Sequence, residues 1–311
     1  MFDDSTGQAN HVPPVAPQRS WPLRGRVAAA AIAGGLVFGV AVALPIALLT
    51  RSNGNSSTSG GAGSAQTPAP ATGLVPGQAQ ARTLYQQALA ATRATRGVHY
   101  VSKTTGGANQ TTTGDAGPGT GTQDITVDSA YGPEQFSLVL IQGTVYFKGN
   151  AAAAQDQLGV PASAAPGLSG KWVSVVSGDG PYTVLQPGIT TGDQATEMPL
   201  VATSTAQVTT PGGVHATRIK GTVPAHQGIP AGTAYMDVDP STHLPVDYVS
   251  TVSAGTVTIT GTTTFSAWGS APSPAQPGGA VAWSTLGAAA PPGGYGSGGG
   301  TGATPTPAPA A

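Results

Sequence analysis

The 311 residues carry a formal charge of −1 and only 8% charged side chains against 46 glycines and 28 prolines, so a good part of the chain is not packed core. So little net charge leaves no basic field for nucleic acid, and no Lys/Arg cluster interleaved with aromatics tracks a phosphate backbone; nucleic-acid binding is excluded. Zero cysteines rule out disulfides, iron–sulfur clusters, thiolate zinc sites, a cysteine nucleophile and a lipid carried on an N-terminal cysteine.

Residues 1–26 are polar and proline-bearing, without apolar periodicity, and read as a short disordered tail. Residues 27–50, "VAAAAIAGGLVFGVAVALPIALLT", form an uncharged apolar run between Arg26 and Arg51. At about 1.5 Å per residue it spans a hydrocarbon core of about 30 Å. It is too long for the apolar region of a cleaved signal peptide, and no small-x-small cleavage site follows it. Arg19, Arg24 and Arg26 precede the run closely and only Arg51 follows it before Arg82, which predicts a cytoplasmic N-terminus and an exported remainder. Within the run Ala31, Gly35, Gly39 and Ala43 recur at helical spacing, a stripe that suits a transmembrane homodimer. The alanine-rich composition also produces such a stripe by chance. Residues 51–77 are a Ser/Gly/Pro linker.

The folded domain is expected over residues 78–269. It opens with a helix in which Ala81, Leu84, Tyr85, Ala88 and Thr92 share a face and Gly97 supplies a stop. The period then changes to two. Ile125 and Val127 alternate with Asp124, Thr126 and Asp128, and Val257 and Ile259 alternate with threonines, as in strands with one buried face. Gln142-Gly143 between two apolar runs is a hairpin signal, since a type I′ turn wants positive φ. "TTPGGVH" and "VSAGTV" punctuate other pairs. The count is about ten strands in an antiparallel meander, with a short helix and a loop between Ala151 and Gly167. Residues 270–311 contain no charge and few large apolar groups, and are expected to be a disordered Gly/Pro/Ala-rich tail.

The stretch "AYMDVDPSTHLPVDYV" gathers Asp237, Asp239, His243 and Asp247. Asp239-Pro240-Ser241-Thr242 fits a type I turn, with Asp accepting backbone hydrogen bonds and Pro presetting φ. Alternation places Asp237 and Asp239 opposite Met236 and Val238, facing solvent. A hard-cation loop needs more oxygen ligands and a glycine bend, so turn chemistry is the better reading. The five histidines never form H-x-x-x-H or H-E-x-x-H, and no G-x-S-x-G elbow occurs. "GPGTGTQD" has some glycines of a phosphate loop, but a strand pattern follows it where a helix start is needed. Nothing argues for an enzyme, and no cofactor is expected.

The phrases "LYQQALAATRATRGVHYV", "LVLIQGTVYFKGNAAA", "GKWVSV", "AYMDVDPSTHLPVDYV" and "TFSAWG" together resemble the extracytoplasmic domain of actinobacterial lipoproteins of the LppX/LprG type, over about residues 80–270. The resemblance implies an α+β, LolA-like fold: a curved antiparallel β-sheet, a half-barrel, packed over one long and one or two short helices around an apolar cavity for lipid or lipoglycan acyl chains. The chain departs from that family in lacking the lipobox cysteine, the transmembrane helix replacing the lipid anchor. A sheet with one apolar face needs a cover, and the small side chains of the first helix and the 150s segment can leave a void beneath it. The lining residues expected are Phe136, Leu138 and Leu140, or the opposite-parity Val139 and Ile141. Val145, Phe147, Trp172, Val257 and Ile259 join them. Most such residues in any domain simply pack against one another. The reading is a membrane-anchored, non-catalytic extracytoplasmic protein that binds a lipid or other apolar ligand of the cell envelope. The alternative is a structural or signalling ectodomain that binds envelope polymer or a protein through its surface. A pocket of several hundred Å³ separates the first from the second, which would have a filled interior.

Overall fold

The computed structural model describes residues 76–129, 132–225 and 230–287. The apolar run at 27–50, its small-residue stripe, the N-terminal tail and the linker as far as residue 75 lie outside them. Among the described residues no helix is long and apolar enough to cross a membrane.

Helix α1, Pro76–Ala94, starts with proline in its first turn, where a missing N–H costs nothing. Its buried residues Ala81, Ala88, Leu89 and Thr92 fall on the expected face, with Leu84 and Tyr85 packed partly beneath it. The strands follow as β1 (Val98–Thr105), β2 (Gln110–Ala116), β3 (Gly121–Ser129), β4 (Gly132–Ile141) and β5 (Thr144–Gly149). After the short helices α2 (Ala151–Leu158) and α3 (Ala165–Leu168) comes β6 (Val173–Val176), and then α4 (Tyr182–Leu185) and α5 (Thr191–Thr196). The chain returns to the sheet as β7 (Val201–Thr209), β8 (His215–Val223), β9 (Gly232–Val238), β10 (Pro245–Ala254) and β11 (Val257–Ser266). It ends in a two-residue β12 (Val281–Ala282) and a 3₁₀ turn, Trp283–Thr285.

All the strands belong to one open 12-stranded sheet in the order β12-β6-β5-β4-β3-β2-β1-β11-β10-β9-β8-β7. Every pairing is antiparallel except β12 beside β6. The two meanders, β1–β6 and β7–β11, join where β1 meets β11, with Tyr100 opposite Phe265. Local chemistry accounts for the joints. Gln142 and Gly143 have φ of 50° and 76°, the two positive values of a type I′ turn between β4 and β5. Asn150 caps α2 by accepting from the Ala153 N–H, and Gly159 closes it in the left-handed region at φ 67°.

The helices cover one face of the sheet, and they divide it. One apolar cluster packs Ala81, Ala88 and Leu89 of α1 on Ile219, Met236, Tyr248 and Phe265. A second packs Ala153, Ala154 and Leu158 of α2, with Leu185 and Ile189, on Phe136, Leu138, Val145 and Phe147. Phe136 and Phe147 stack with ring centres 5.5 Å apart. The ordered chain also continues past the expected boundary at 269/270. Val281 and Ala282 pair with β6, Trp283 Nε1 donates to the Leu158 carbonyl at 2.9 Å, and Leu286 packs on the second cluster. The apolar Trp283 and Leu286 supply burial that the flanking Gly/Pro/Ala composition concealed.

Candidate functional site

Between the two clusters the inward-facing side chains of the central strands change character. Ser102 and Thr104 on β1, Gln110 and Thr112 on β2, Gln123 on β3 and Thr263 on β11 are all buried. β2, "QTTTGDA", has no large apolar residue, yet its inward positions are covered. Buried polar side chains persist only when bonded, and here they bond to one another. Gln110 Nε2 donates to Thr112 Oγ1 at 3.0 Å, and Thr263 Oγ1 donates to Ser102 Oγ at 3.1 Å.

Tyr100, Gly114 and Gln123 lie side by side across β1, β2 and β3. A Cβ on Gly114 would sit 2.7 Å from the Tyr100 ring, so its absence lets Tyr100 lie over β2. The phenol oxygen then accepts from Gln123 Nε2 at 2.7 Å and donates to the Gly188 carbonyl at 3.0 Å. Burial pushes the Tyr100 phenol far above its ordinary pKa, so it stays neutral. Gly188 also accepts from Gln194 Nε2 at 2.6 Å, a bond within the cover, so Tyr100 ties that carbonyl to the sheet, and the Thr191 N–H donates to the Gly117 carbonyl at 3.0 Å beside it. The Thr190–Asp193 capping box starts α5 at this point. At the far end of the cover, Tyr85 OH donates to the Met198 carbonyl and Tyr248 OH to the Pro199 carbonyl, at 2.9 and 2.8 Å.

Under this cover lies a cavity of about 30 Å³. Its sheet side is made by Tyr100, Ser102, Gln123, Ile125, Phe136 and Leu138, and its cover by Leu185, Gln194, Glu197 and Met198. Glu197 Oε1 is shut off from solvent and has no hydrogen-bond partner among the described residues. Burial, and secondarily the Asp193 charge, hold the Glu197 carboxyl well above the usual range. Glu197 as a whole is half-buried, whereas Glu134 is fully buried and accepts from Gln157 Nε2 at 2.9 Å; burial raises its pKa too, against hydrogen bonds from Ser129 and Gln157 that lower it.

Of the expected lining residues, Phe136 and Leu138 reach the cavity. Leu140, Val145 and Phe147 are buried in the second apolar cluster, and Ile259 is buried in the sheet. The rest are corrections. Val139 and Ile141 point to the other face of β4 and are only half-buried. Trp172 is half-buried beneath the Lys148 ammonium, 5.7 Å from the ring centre, and Val257, at the hairpin tip, is 39% exposed. Alternation found the inward face but not where the cover ends. The polar lining was missed because a strand such as β2 offers no apolar pattern to count.

The Asp/His hairpin divides by role. Asp239 Oδ1 accepts from Ser241 N, Ser241 Oγ and Thr242 N at 2.6–2.9 Å, as turn chemistry requires, and these bonds hold its carboxyl below the usual range. His243 sits at φ 60°, where few side chains are comfortable. Asp247 accepts from Thr264 Oγ1 at 2.9 Å. Asp237 overturns the expectation of a solvent-facing carboxylate: it is 1% exposed and held by Arg218 Nε and Nη2, each at 2.7 Å. Arg218 in turn stacks 3.8 Å above Tyr235, so the ring and guanidinium close the outer face over Asp237. Among the described residues no group of three or more His, Cys, Asp or Glu side chains is arranged to hold a metal.

No protein-family model matches the sequence, and no curated protein matches it. Among solved structures, LprF from Mycobacterium bovis is similar over 64% of this chain and 98% of its own, at 13% identity and a TM-score of 0.39. Lipoprotein LppX from Mycobacterium tuberculosis is similar over the same shares, at 15% identity and a TM-score of 0.39. An uncharacterized conserved protein from Thermus thermophilus is similar over 65% of this chain and 98% of its own, at 10% identity and a TM-score of 0.35.

Proposed function

We propose that the chain is a non-catalytic, extracytoplasmic binding protein for a lipidic or other apolar ligand of the cell envelope, held at the membrane by residues 27–50. The observation that carries this reading is the interior of the sheet. Two apolar clusters are kept apart by a small cavity whose cover, α4 and α5, is tied to the central strands at Gly188. A ligand with apolar parts that displaced this cover would meet both clusters at once. Native mass spectrometry of the full-length protein released from detergent tests it: a stoichiometric apolar adduct is expected, and a bare protein that also fails to take up added lipid would overturn the reading. The arginine asymmetry around the apolar run supports export of the domain. A C-terminal alkaline phosphatase fusion should be active; an inactive one, with an active β-galactosidase fusion at the same point, would reverse the orientation. The stripe of Ala31, Gly35, Gly39 and Ala43 supports pairing of two such helices, which Gly35→Ile with Gly39→Ile should abolish in a crosslinking assay.

A second reading, an ectodomain that works through its surface, is favoured by the cavity's size. About 30 Å³ is far below the several hundred Å³ of a formed ligand pocket, whereas an open depression of about 340 Å³ lies at the ends of β1–β4 among Lys103, Asn109, Thr111, Thr126, Asp128 and Gln135. Retention of the protein on purified envelope polymer, lost on Lys103→Glu with Gln135→Glu, would favour it over interior binding.

A further inference from the structure

The residues around the interior cavity specify the chemistry of what enters it, on the binding reading given above. We propose that the cavity is a subsite for an uncharged hydrogen-bonding group, a hydroxyl or a primary carboxamide, carried by an otherwise apolar ligand. The polar groups facing it are amides, hydroxyls and one carboxyl: Gln110, Gln123, Gln194, Thr112 and Glu197 among them. Among the described residues no Lys, Arg or His lines it. A phosphate or carboxylate placed there would lie beside Glu197 with no cation to balance it, and a buried unpaired charge is among the costliest groups in a protein. Gln110, Gln123 and Gln194 each use one donor in the bonds already described, and a carboxamide offers donors and acceptors beyond that one.

Among the described residues Glu197 Oε1 has no hydrogen-bond partner. An apolar residue would fill a purely structural site at lower cost, whereas a ligand hydroxyl or amide N–H would donate to this oxygen on arrival. Burial, and secondarily the Asp193 charge, raise the Glu197 pKa and so favour its acid form, from which it can also donate to a ligand carbonyl or hydroxyl oxygen. A cavity of about 30 Å³ exceeds the roughly 10–15 Å³ that one water needs, which suits a small polar head and not a chain. Apolar contacts for the remainder lie on both sides, Ile125, Phe136, Leu138 and Leu185 of the second cluster to one and Met198 and Phe265 of the first to the other. The polar group is thus received between apolar walls, in the middle of the domain.

The test titrates four probes of one chain length, hexadecan-1-ol, palmitamide, hexadecyl phosphate and hexadecylamine, against the full-length protein in nanodiscs, with retention read by mass spectrometry. The alcohol and the amide should bind about tenfold tighter than the phosphate and the amine. Glu197→Leu should reduce that preference to within about twofold while Glu197→Gln, which keeps a hydrogen-bonding side chain of the same shape, preserves it. Equal retention of all four probes, unchanged in Glu197→Leu, would overturn the subsite and leave the binding reading standing. Tighter binding of the phosphate or of the amine would overturn the uncharged assignment. Retention of none of the four would remove the binding reading and the subsite together. The ranking of probes on the wild-type protein decides the matter even if Glu197→Leu does not fold.

Discussion

Arg218→Ala should be among the most destabilising single substitutions on the outer face of the sheet. The two nitrogen–oxygen contacts at 2.7 Å are charge-assisted bonds, worth about 1.5–3 kcal/mol each in a protected site. What decides the cost is which partner remains. The Asp237 side chain is 1% exposed and cannot rehydrate where it stands, so removing Arg218 leaves a buried, unpaired carboxylate at about 3–5 kcal/mol. The Arg218 side chain is 23% exposed and can extend its head to water, so Asp237→Ala should cost less, about 2–3 kcal/mol. Asp237 also faces Asp247 across β9 and β10, and Arg218 is the cation that offsets this like-charge pair. Urea denaturation followed by tryptophan fluorescence measures both, and for a domain of this size the loss in Arg218→Ala corresponds to a melting temperature lower by about 6–20 °C. The double variant Arg218→Met, Asp237→Leu should be less destabilised than Arg218→Ala alone. A cost below about 1 kcal/mol for Arg218→Ala, or a strictly additive double-mutant cycle, would refute the pairing argument.

Asp239→Ala should cost about 0.5–1.5 kcal/mol at neutral pH through the lost turn bonds. Because those bonds depress the Asp239 pKa, their contribution is present above the usual aspartate value and fades as pH falls through the lower folded one; the difference from wild type in urea midpoint should shrink on acidification. His243→Gly should be neutral to about 1 kcal/mol stabilising, because glycine takes φ 60° freely, whereas His243→Val should destabilise; equal thermal midpoints for both variants would contradict this. Glu197→Gln should raise stability above pH 5. The folded acid keeps a proton that the unfolded chain releases above a glutamate pKa of about 4.3, so the wild type loses stability as pH rises from there towards the folded value. The gap in melting temperature should be small near pH 4 and widen towards pH 7, and a gap independent of pH would refute it.

How much of this was legible in the sequence depends on where each signal resides. The face of α1, the Gln142-Gly143 turn and the Asp239 loop are local: a few adjacent residues fix them, and all three appear in the structure as their chemistry requires. Strand parity was legible wherever large apolar residues alternate, as from Phe136 to Leu140. The misses are all long-range. Asp237 lies opposite the apolar residues of β9, as alternation says, but is buried by Arg218 from the neighbouring β8 and by its own neighbour Tyr235. The polar interior depends on Gly114 admitting a tyrosine from the next strand and on Gly188, 88 positions beyond Tyr100, accepting its hydroxyl. The position of β12 depends on two side chains, Trp283 and Leu286, within a composition that otherwise reads as tail.

The polar band also determines how the interior opens. A cavity of about 30 Å³ admits no acyl chain, so a ligand that reaches both clusters must move either strands or cover. Moving strands breaks ladders: β3 and β4 are in register over nine residue pairs, and β1 with β11 over seven. Moving the cover breaks much less. The Tyr100 hydroxyl bond to the Gly188 carbonyl and the Thr191 N–H bond to the Gly117 carbonyl hold it to the strands, the Gln194–Gly188 bond and the Thr190–Asp193 box are internal to the cover and travel with it, and Leu185, Ile189 and Ala195 are apolar side chains it withdraws. Local opening follows the smallest loss of buried apolar surface and backbone bonding, which assigns the motion to the segment between β6 and β7. Its far end is held by Tyr85 and Tyr248 at Met198 and Pro199, so Glu197 stays beside the anchored end of the cover.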